Sequence, residues 1–245
     1  DFERLRMRNW GDKIKVIAAP HAVYTSSPEF LEYCAKLGEI TIHVSETQSE
    51  NAECKKKHGK TPTRLLYDLG YFRHRTVAAH CVWTEDEDME IFIDNNVNIA
   101  HCPGSNLKLG SGVAPIDKYI KSGINVALGT DGAASNNALN MLNEIRLAAL
   151  IHKGVNCDPL AVSAQTALEM ATINGAKALG LETQIGRIDI GYHADLVFFE
   201  TKSANMQPLS SSLAGAVVYS ADRGNIWRVM VDGEFLPLNN HTNST

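Results

Sequence analysis

The sequence predicts an α/β fold of repeated strand–helix units around a parallel sheet. Five short apolar runs, most rich in β-branched residues, recur at intervals of roughly 20 to 40 residues. Helix-like segments separate them, and each run ends in polar residues able to carry chemistry. Alternation of this kind points to a parallel sheet covered by helices. A doubly wound sheet is the competing architecture, but no Gly-x-Gly-x-x-Gly follows the first run. In a barrel of parallel strands, the C-terminal strand ends form the face where chemistry is done.

Residues 1–12 read as the charged tail of a helix, with Arg4, Arg6 and Arg8 on a solvated face. Residues 13–19 form the first strand, which starts at Lys13 and ends in Pro20-His21. Ser26 or Ser27 caps the helix that follows, Pro28 lies near its first position, and Phe30, Leu31, Cys34 and Leu37 share a face. Residues 39–42 are the second strand, ending in His43-Val44-Ser45-Glu46. The polar segment 47–60 predicts a surface helix and loop. Thr61-Pro62 opens another helix, with Leu65, Leu66 and Leu69 facing inward. The third strand, 75–79, ends in His80-Cys81. Thr84-Glu85-Asp86-Glu87 reads as a capping box ahead of a helix carrying Met89, Ile91, Phe92 and Ile93. The fourth strand, 97–100, ends in His101-Cys102-Pro103. A loop over 104–112 and a short helix over 115–121 come next. The fifth strand, 124–128, leads into Gly129-Thr130-Asp131-Gly132. Asp131 sits where that strand ends, a place where Asp also serves simply as a turn residue. Ser135 or Asn136 can cap a helix whose apolar residues run from 138 to 151.

After residue 157 the pattern changes. A helical stretch is expected over 158–181, broken near Asn174-Gly175. Strands follow over 194–199, 215–219 and 226–236, with turns at Gly224-Asn225 and Asp232-Gly233. This all-β tail is too short for a sandwich and is expected to pair with strands lying elsewhere. The chain divides into a catalytic unit over 1–182, part of a small β domain over 183–238, and a disordered tail over 239–245.

Composition narrows the function. The 245 residues are 44% hydrophobic and 21% charged, which is ordinary for a globular protein. A net charge of -5 gives no basic footprint for nucleic acid. No apolar run is long enough to span a membrane. Five cysteines with no Cys-x-x-Cys pair fit reduced thiols in a cytoplasm and exclude zinc ribbons and the Pro-Cys-x-x-Cys deaminases. The strand ends bring forward His21, His43, Glu46, His80, His101 and Asp131. Imidazole and carboxylate together suit zinc, iron or another first-row metal. Each histidine alone reads more simply as structural; four at successive strand ends favour a site.

Four stretches carry a resemblance: His43-Val44-Ser45-Glu46, Ala79-His80-Cys81, the run from Ser105 to Pro115, and the run from Gly129 to Asn137. Together with Ala171–Gly180 and His193-Ala194-Asp195-Leu196-Val197, they resemble the amidohydrolase superfamily over about residues 13–235. Within it, the similarity is to the 5'-methylthioadenosine/S-adenosylhomocysteine deaminases and their chlorohydrolase relatives. The resemblance implies a (β/α)8 TIM-type barrel, here its C-terminal five βα units, with a small all-β second domain. It also implies one divalent metal, zinc or iron, held by His43 and Asp131. Glu46 would shuttle a proton to a ring nitrogen, and His80 would orient or polarise the attacking water. Glu46, His80 and Asp131 would be the catalytic set. His21, Glu46, His80, Ser105 and Asn106 would meet the substrate, and His101 would be structural. The implied reaction is hydrolytic deamination of an adenosine-like nucleoside by attack of activated water at C6. The alternatives within the class are guanine deamination and triazine dechlorination. A metal-free fragment or binding module is the alternative of another class. The family's His-x-His pair is absent, so the sequence is expected to be the C-terminal part of a longer enzyme with little activity alone. Open sheet edges predict a homo-oligomer.

Overall fold

The computed structural model describes residues 2–8, 10, 14–209 and 212–237. Lys13 and the tail over 239–245 lie outside the described residues.

The chain begins with α1 (Phe2–Arg6) and α2 (Pro28–Cys34). The latter starts at Pro28 with Ser27 as its cap, since the Ser27 hydroxyl accepts the Phe30 N–H. Strand β1 (Ile40–Val44) leads to α3 (Gln48–His58) and α4 (Pro62–Asp68), capped by Thr47 and Thr61. β2 (Thr76–His80) leads to α5 (Asp86–Asp94), and β3 (Asn98–His101) to α6 (Pro103–Leu109) and α7 (Ile116–Lys121). β4 (Val126–Leu128) is followed by α8 (Ala133–Asn136), α9 (Met141–Asn156), α10 (Ala164–Ala171) and α11 (Ile173–Leu179). The four strands pair in chain order, all parallel, in an α/β arrangement. Beyond them lie β5 (Leu196–Phe199), α12 (Leu213–Gly215), β6 (Ile226–Val231) and β7 (Glu234–Phe235). The three strands form a separate antiparallel sheet in the order β5-β6-β7.

Alternation along β1 gives the sheet its two faces. Ile40, Ile42 and Val44 are buried among helix residues, while Thr41 and His43 take the other face. Leu31, Leu66, Phe92, Ile116, Tyr119 and Met170 fill the layer beneath, each with almost no exposed surface.

Several expectations are corrected. The first strand is reduced to an isolated parallel bridge between Ala18 and Ile40. Pro20 has no N–H for the next rung, and pairing resumes one residue late, with the His43 N–H bonded to His21 O at 3.0 Å. The 104–112 stretch is not all loop. Pro103 opens a helix there and Gly110, in the left-handed region, closes it. The capping box begins at Glu85 and closes with Asp88, because the Thr84 hydroxyl is engaged by Tyr119 OH. The long helix after Asp131 starts at Met141, capped by Asn140; Ser135 and Asn136 belong to α8. The 158–181 stretch begins its helices at Ala164 and breaks at Thr172, not at Asn174-Gly175. The expected strand over 215–219 is a turn of wide helix, Ala216–Ser220. Its β-branched residues fit either state in so short a run. Packing decides: Val218 is buried in the main core, and the Arg146 side chain donates to Val218 O and Ala221 O.

Candidate metal and catalytic site

The site forms at the C-terminal ends of β1, β2 and β4. His43, His80 and Asp131 each offer a ligand atom, and these atoms all lie within 4.8 Å of one another. His43 reaches the site by ordinary strand alternation. His80 does not: it shares strand parity with buried Ala78. Its backbone has φ of 71°, and this left-handed turn at the strand end brings its ring over that of His43, centroids 5.2 Å apart. Asp131, with φ of 60°, also follows its strand in the left-handed region, as do Ser45 and Cys81 at 50° and 48°. Such conformations cost on the order of 1 kcal/mol or more each and gather at functional sites.

Hydrogen bonds fix the tautomers. His43 Nδ1–H donates to His21 O at 2.7 Å, and His80 Nδ1–H donates to Asn106 Oδ1 at 2.8 Å. Each ring therefore keeps its Nε2 lone pair free, the arrangement found in metal-binding histidines whose other nitrogen is held by an oxygen. Asp131 accepts the Ser105 hydroxyl on Oδ2 and the Gly132 N–H on Oδ1, both at 2.7 Å. Burial pushes its carboxyl up; these two bonds and the nearby His80 outweigh that and hold it below the usual carboxylate range. Two imidazoles and an ionised carboxylate at this spacing can hold zinc or a similar divalent ion.

Glu46 lies beside this cluster, with Oε2 3.9 Å from His80 Nε2 and Oε1 accepting the Ser111 hydroxyl at 3.2 Å. Two expected substrate contacts take supporting places. Ser105 and Asn106 are buried on α6 and bonded to Asp131 and His80. His21 is exposed, with its ring 4.8 Å from His43 and its Nδ1 bonded to Thr25 Oγ1.

Two acidic residues were not singled out by sequence reasoning. Glu50, on α3, is buried and accepts the Glu46 N–H at 2.7 Å. Burial pushes its carboxyl up to about 6, against the backbone N–H groups of Glu46, Ser45 and Thr47. Its signal was the spacing Thr47-x-x-Glu50, a helix-start pattern. Glu144, on α9, is buried 40 residues from the Gly104 N–H that it accepts, and no local pattern marks it.

His101 stands apart from the site. It keeps the strand parity of buried Ile99 and so points into the helix layer, where its Nε2 lies 3.2 Å from His152 Nε2 on α9. Burial pushes His101 well below the usual imidazole range and His152 down to about 4. Unfolding returns both to ordinary values, so below about pH 6.5 the unfolded chain binds more protons. The stability they contribute is complete above that pH and is lost as pH falls, by about 3 kcal/mol from His152 on reaching pH 4. Urea midpoints should therefore fall between pH 7 and pH 4.5. The His152→Gln variant should fall less, by the share that His152 contributes, and an equal fall in both would refute this account.

No helix among the described residues is long and apolar enough to cross a membrane. A sequence profile of the amidohydrolase family matches residues 3–236. The chain is 45% identical over 230 residues to the 5-methylthioadenosine/S-adenosylhomocysteine deaminase of Caldicellulosiruptor saccharolyticus, covering 92% of this chain and 53% of that protein. It matches the zinc-bound adenosine deaminase of Xanthomonas campestris with a TM-score of 0.91 at 34% identity, over 95% of this chain and 54% of that one. The atrazine chlorohydrolase of Arthrobacter aurescens TC1, complexed with zinc, matches with a TM-score of 0.83 at 30% identity, over 89% of this chain and 49% of that one. The chain thus spans about half the length of the relatives it matches. On a family match along nearly its whole length, this chain belongs to the amidohydrolase family.

Proposed function

We propose that this chain carries the hydrolytic site of a zinc-dependent deaminase acting on an adenosine-like nucleoside: 5'-methylthioadenosine, S-adenosylhomocysteine or adenosine. The observation that carries the reading is the His43, His80 and Asp131 cluster with the Glu46 carboxyl beside it. Relatives named as 5-methylthioadenosine/S-adenosylhomocysteine deaminases, and a neighbour named as an adenosine deaminase, support the substrate class. His43 and Asp131 would hold the metal, with His80 as a further donor or as the group that orients water. A divalent cation there would supply the Lewis acidity that makes hydroxide available near neutral pH. Asp131, ionised and held by Ser105 and Gly132, accepts the proton of the attacking water. Glu46 gives a proton to the ring nitrogen as C6 becomes tetrahedral and takes back the proton of the new C6 hydroxyl as the carbonyl forms, while the proton held by Asp131 passes to the leaving amine. Water's oxygen stays on C6, the C–N bond breaks, and the products are ammonia and a 6-oxo purine. His21, exposed beside His43, meets the substrate, while Ser105 and Asn106 orient the site from beneath. Free cysteines, four of them buried, support a reducing, cytoplasmic setting.

The test is ammonia release from the three nucleosides and from guanine, and chloride release from atrazine. The zinc-loaded chain is assayed alone and complemented by the part of the Caldicellulosiruptor saccharolyticus relative that it does not cover. Turnover of an adenine nucleoside supports the reading. Turnover of guanine or atrazine alone moves the assignment within the family, and no turnover of any compound by the complemented enzyme refutes it.

A further inference from the structure

Glu144 belongs to none of the three clustered positions, yet it is 1% exposed and both its oxygens are in use. Oε2 accepts the Gly104 N–H and Oε1 accepts from Asn136 Nδ2, each at 2.8 Å. Gly104 lies in the first turn of α6, and the next two residues are Ser105 and Asn106, which reach Asp131 and His80. Asn136 ends α8 and also donates to Thr130 O at 2.8 Å, the carbonyl just before Asp131. One buried carboxylate therefore ties together both segments that fix the Asp131 carboxylate and the His80 ring.

The sequence leaves room for this tie. A Cβ at Gly104 would lie 2.5 Å from Glu144 Oε1 and 2.8 Å from Asn136 Nδ2. Gly104 is not in the left-handed region, so close approach rather than backbone freedom calls for glycine here. The first turn of α6, Gly104-Ser105-Asn106, is made of weak helix formers, and an anchoring acceptor offsets that weakness. At the other end of α6, Lys108 Nζ donates to Ala134 O at 2.8 Å and to Asn137 Oδ1, again joining α6 to the Asp131 segment.

We propose that Glu144 is a positioning residue: through Gly104 and Asn136 it seats α6, and so orients the His80 imidazole and the Asp131 carboxylate. Only the consequence for zinc rests on the metal reading given above.

The test uses Glu144→Gln, Glu144→Ala, Gly104→Ala and the double variant Gly104→Ala/Glu144→Ala. Three quantities are measured: the His80 imidazole nitrogen signals in the metal-free chain, zinc affinity by calorimetric titration, and Tm. In Glu144→Ala the Nδ1–H bond to Asn106 loosens and the His80 signals move toward those of a tautomer mixture. Zinc affinity falls by about 10- to 100-fold, the usual cost of removing an outer support of a metal ligand. Glu144→Gln keeps one of the two acceptor bonds and lies between. Gly104→Ala displaces the same carboxylate and behaves like Glu144→Ala. The double variant is no worse than the poorer single, because both act through one contact. A residue that served only stability would lower Tm and leave the His80 signals in place. Unmoved signals in folded Glu144→Gln and Gly104→Ala would overturn the proposal whatever their Tm. A wild-type chain that binds no zinc, but whose His80 signals move in Glu144→Gln, would refute the metal reading and leave the positioning role standing.

Discussion

Glutamine in place of Glu46 is expected to leave zinc binding within a few-fold of wild type and to cut turnover by about 100- to 10,000-fold, the range for loss of a general acid–base. Glu46 lies outside the clustered set, so the metal keeps its donors. The glutamine still offers a carbonyl oxygen to the Ser111 hydroxyl and still donates its backbone N–H to the Glu50 carboxylate, the bond that fixes the turn. What disappears is a carboxyl able to give a proton to the ring nitrogen and take one from the new C6 hydroxyl. The measurement is kcat in the complemented, zinc-loaded enzyme, with zinc affinity taken on the same preparation. Full activity would sink the proton shuttle. Equal losses of zinc and turnover would mean that Glu46 supports the metal instead.

Alanine at His43 should lower zinc affinity by more than about 100-fold, beyond the usual cost of losing an outer support. The side chain sits on the face of β1 opposite the helix layer, its Nδ1–H held by a backbone carbonyl and its Nε2 free beside His80 and Asp131. Substitution removes the donor and offers no replacement nearby. His21→Ala is the control. It deletes a ring 4.8 Å from His43 but keeps the carbonyl that orients it, so zinc affinity should hold while the Michaelis constant rises. Equal zinc affinity in His43→Ala and wild type would remove His43 from the ligand set.

The site was legible where chemistry interrupts an apolar pattern. His43, Glu46, His80 and Asp131 follow strand-like runs directly, and a polar residue there needs a reason that burial does not supply. His101 looked the same in sequence. The difference between it and His80 lies in one backbone angle, the φ of 71° that turns His80 off its strand's parity. Linear spacing carries no such information. Glu50 and Glu144 were hidden for another reason. Their partners are backbone N–H groups delivered by the fold, one across a turn and one across 40 residues. Similar logic covers the fold. Ser27, Thr47 and Thr61 announce their helices through local hydrogen bonds. The strand expected over 215–219 gives way to the helical turn Ala216–Ser220 because burial of Val218 and the Arg146 bonds outweigh strand propensity.

The most direct test of the central claim is the zinc retained per chain after equilibration with the metal and removal of the excess, measured by elemental analysis on wild type and Asp131→Ala. A site built from His43, His80 and Asp131 predicts one zinc per chain in the wild type and almost none in the variant. Equal zinc in the two proteins, or none in the wild type, would contradict it.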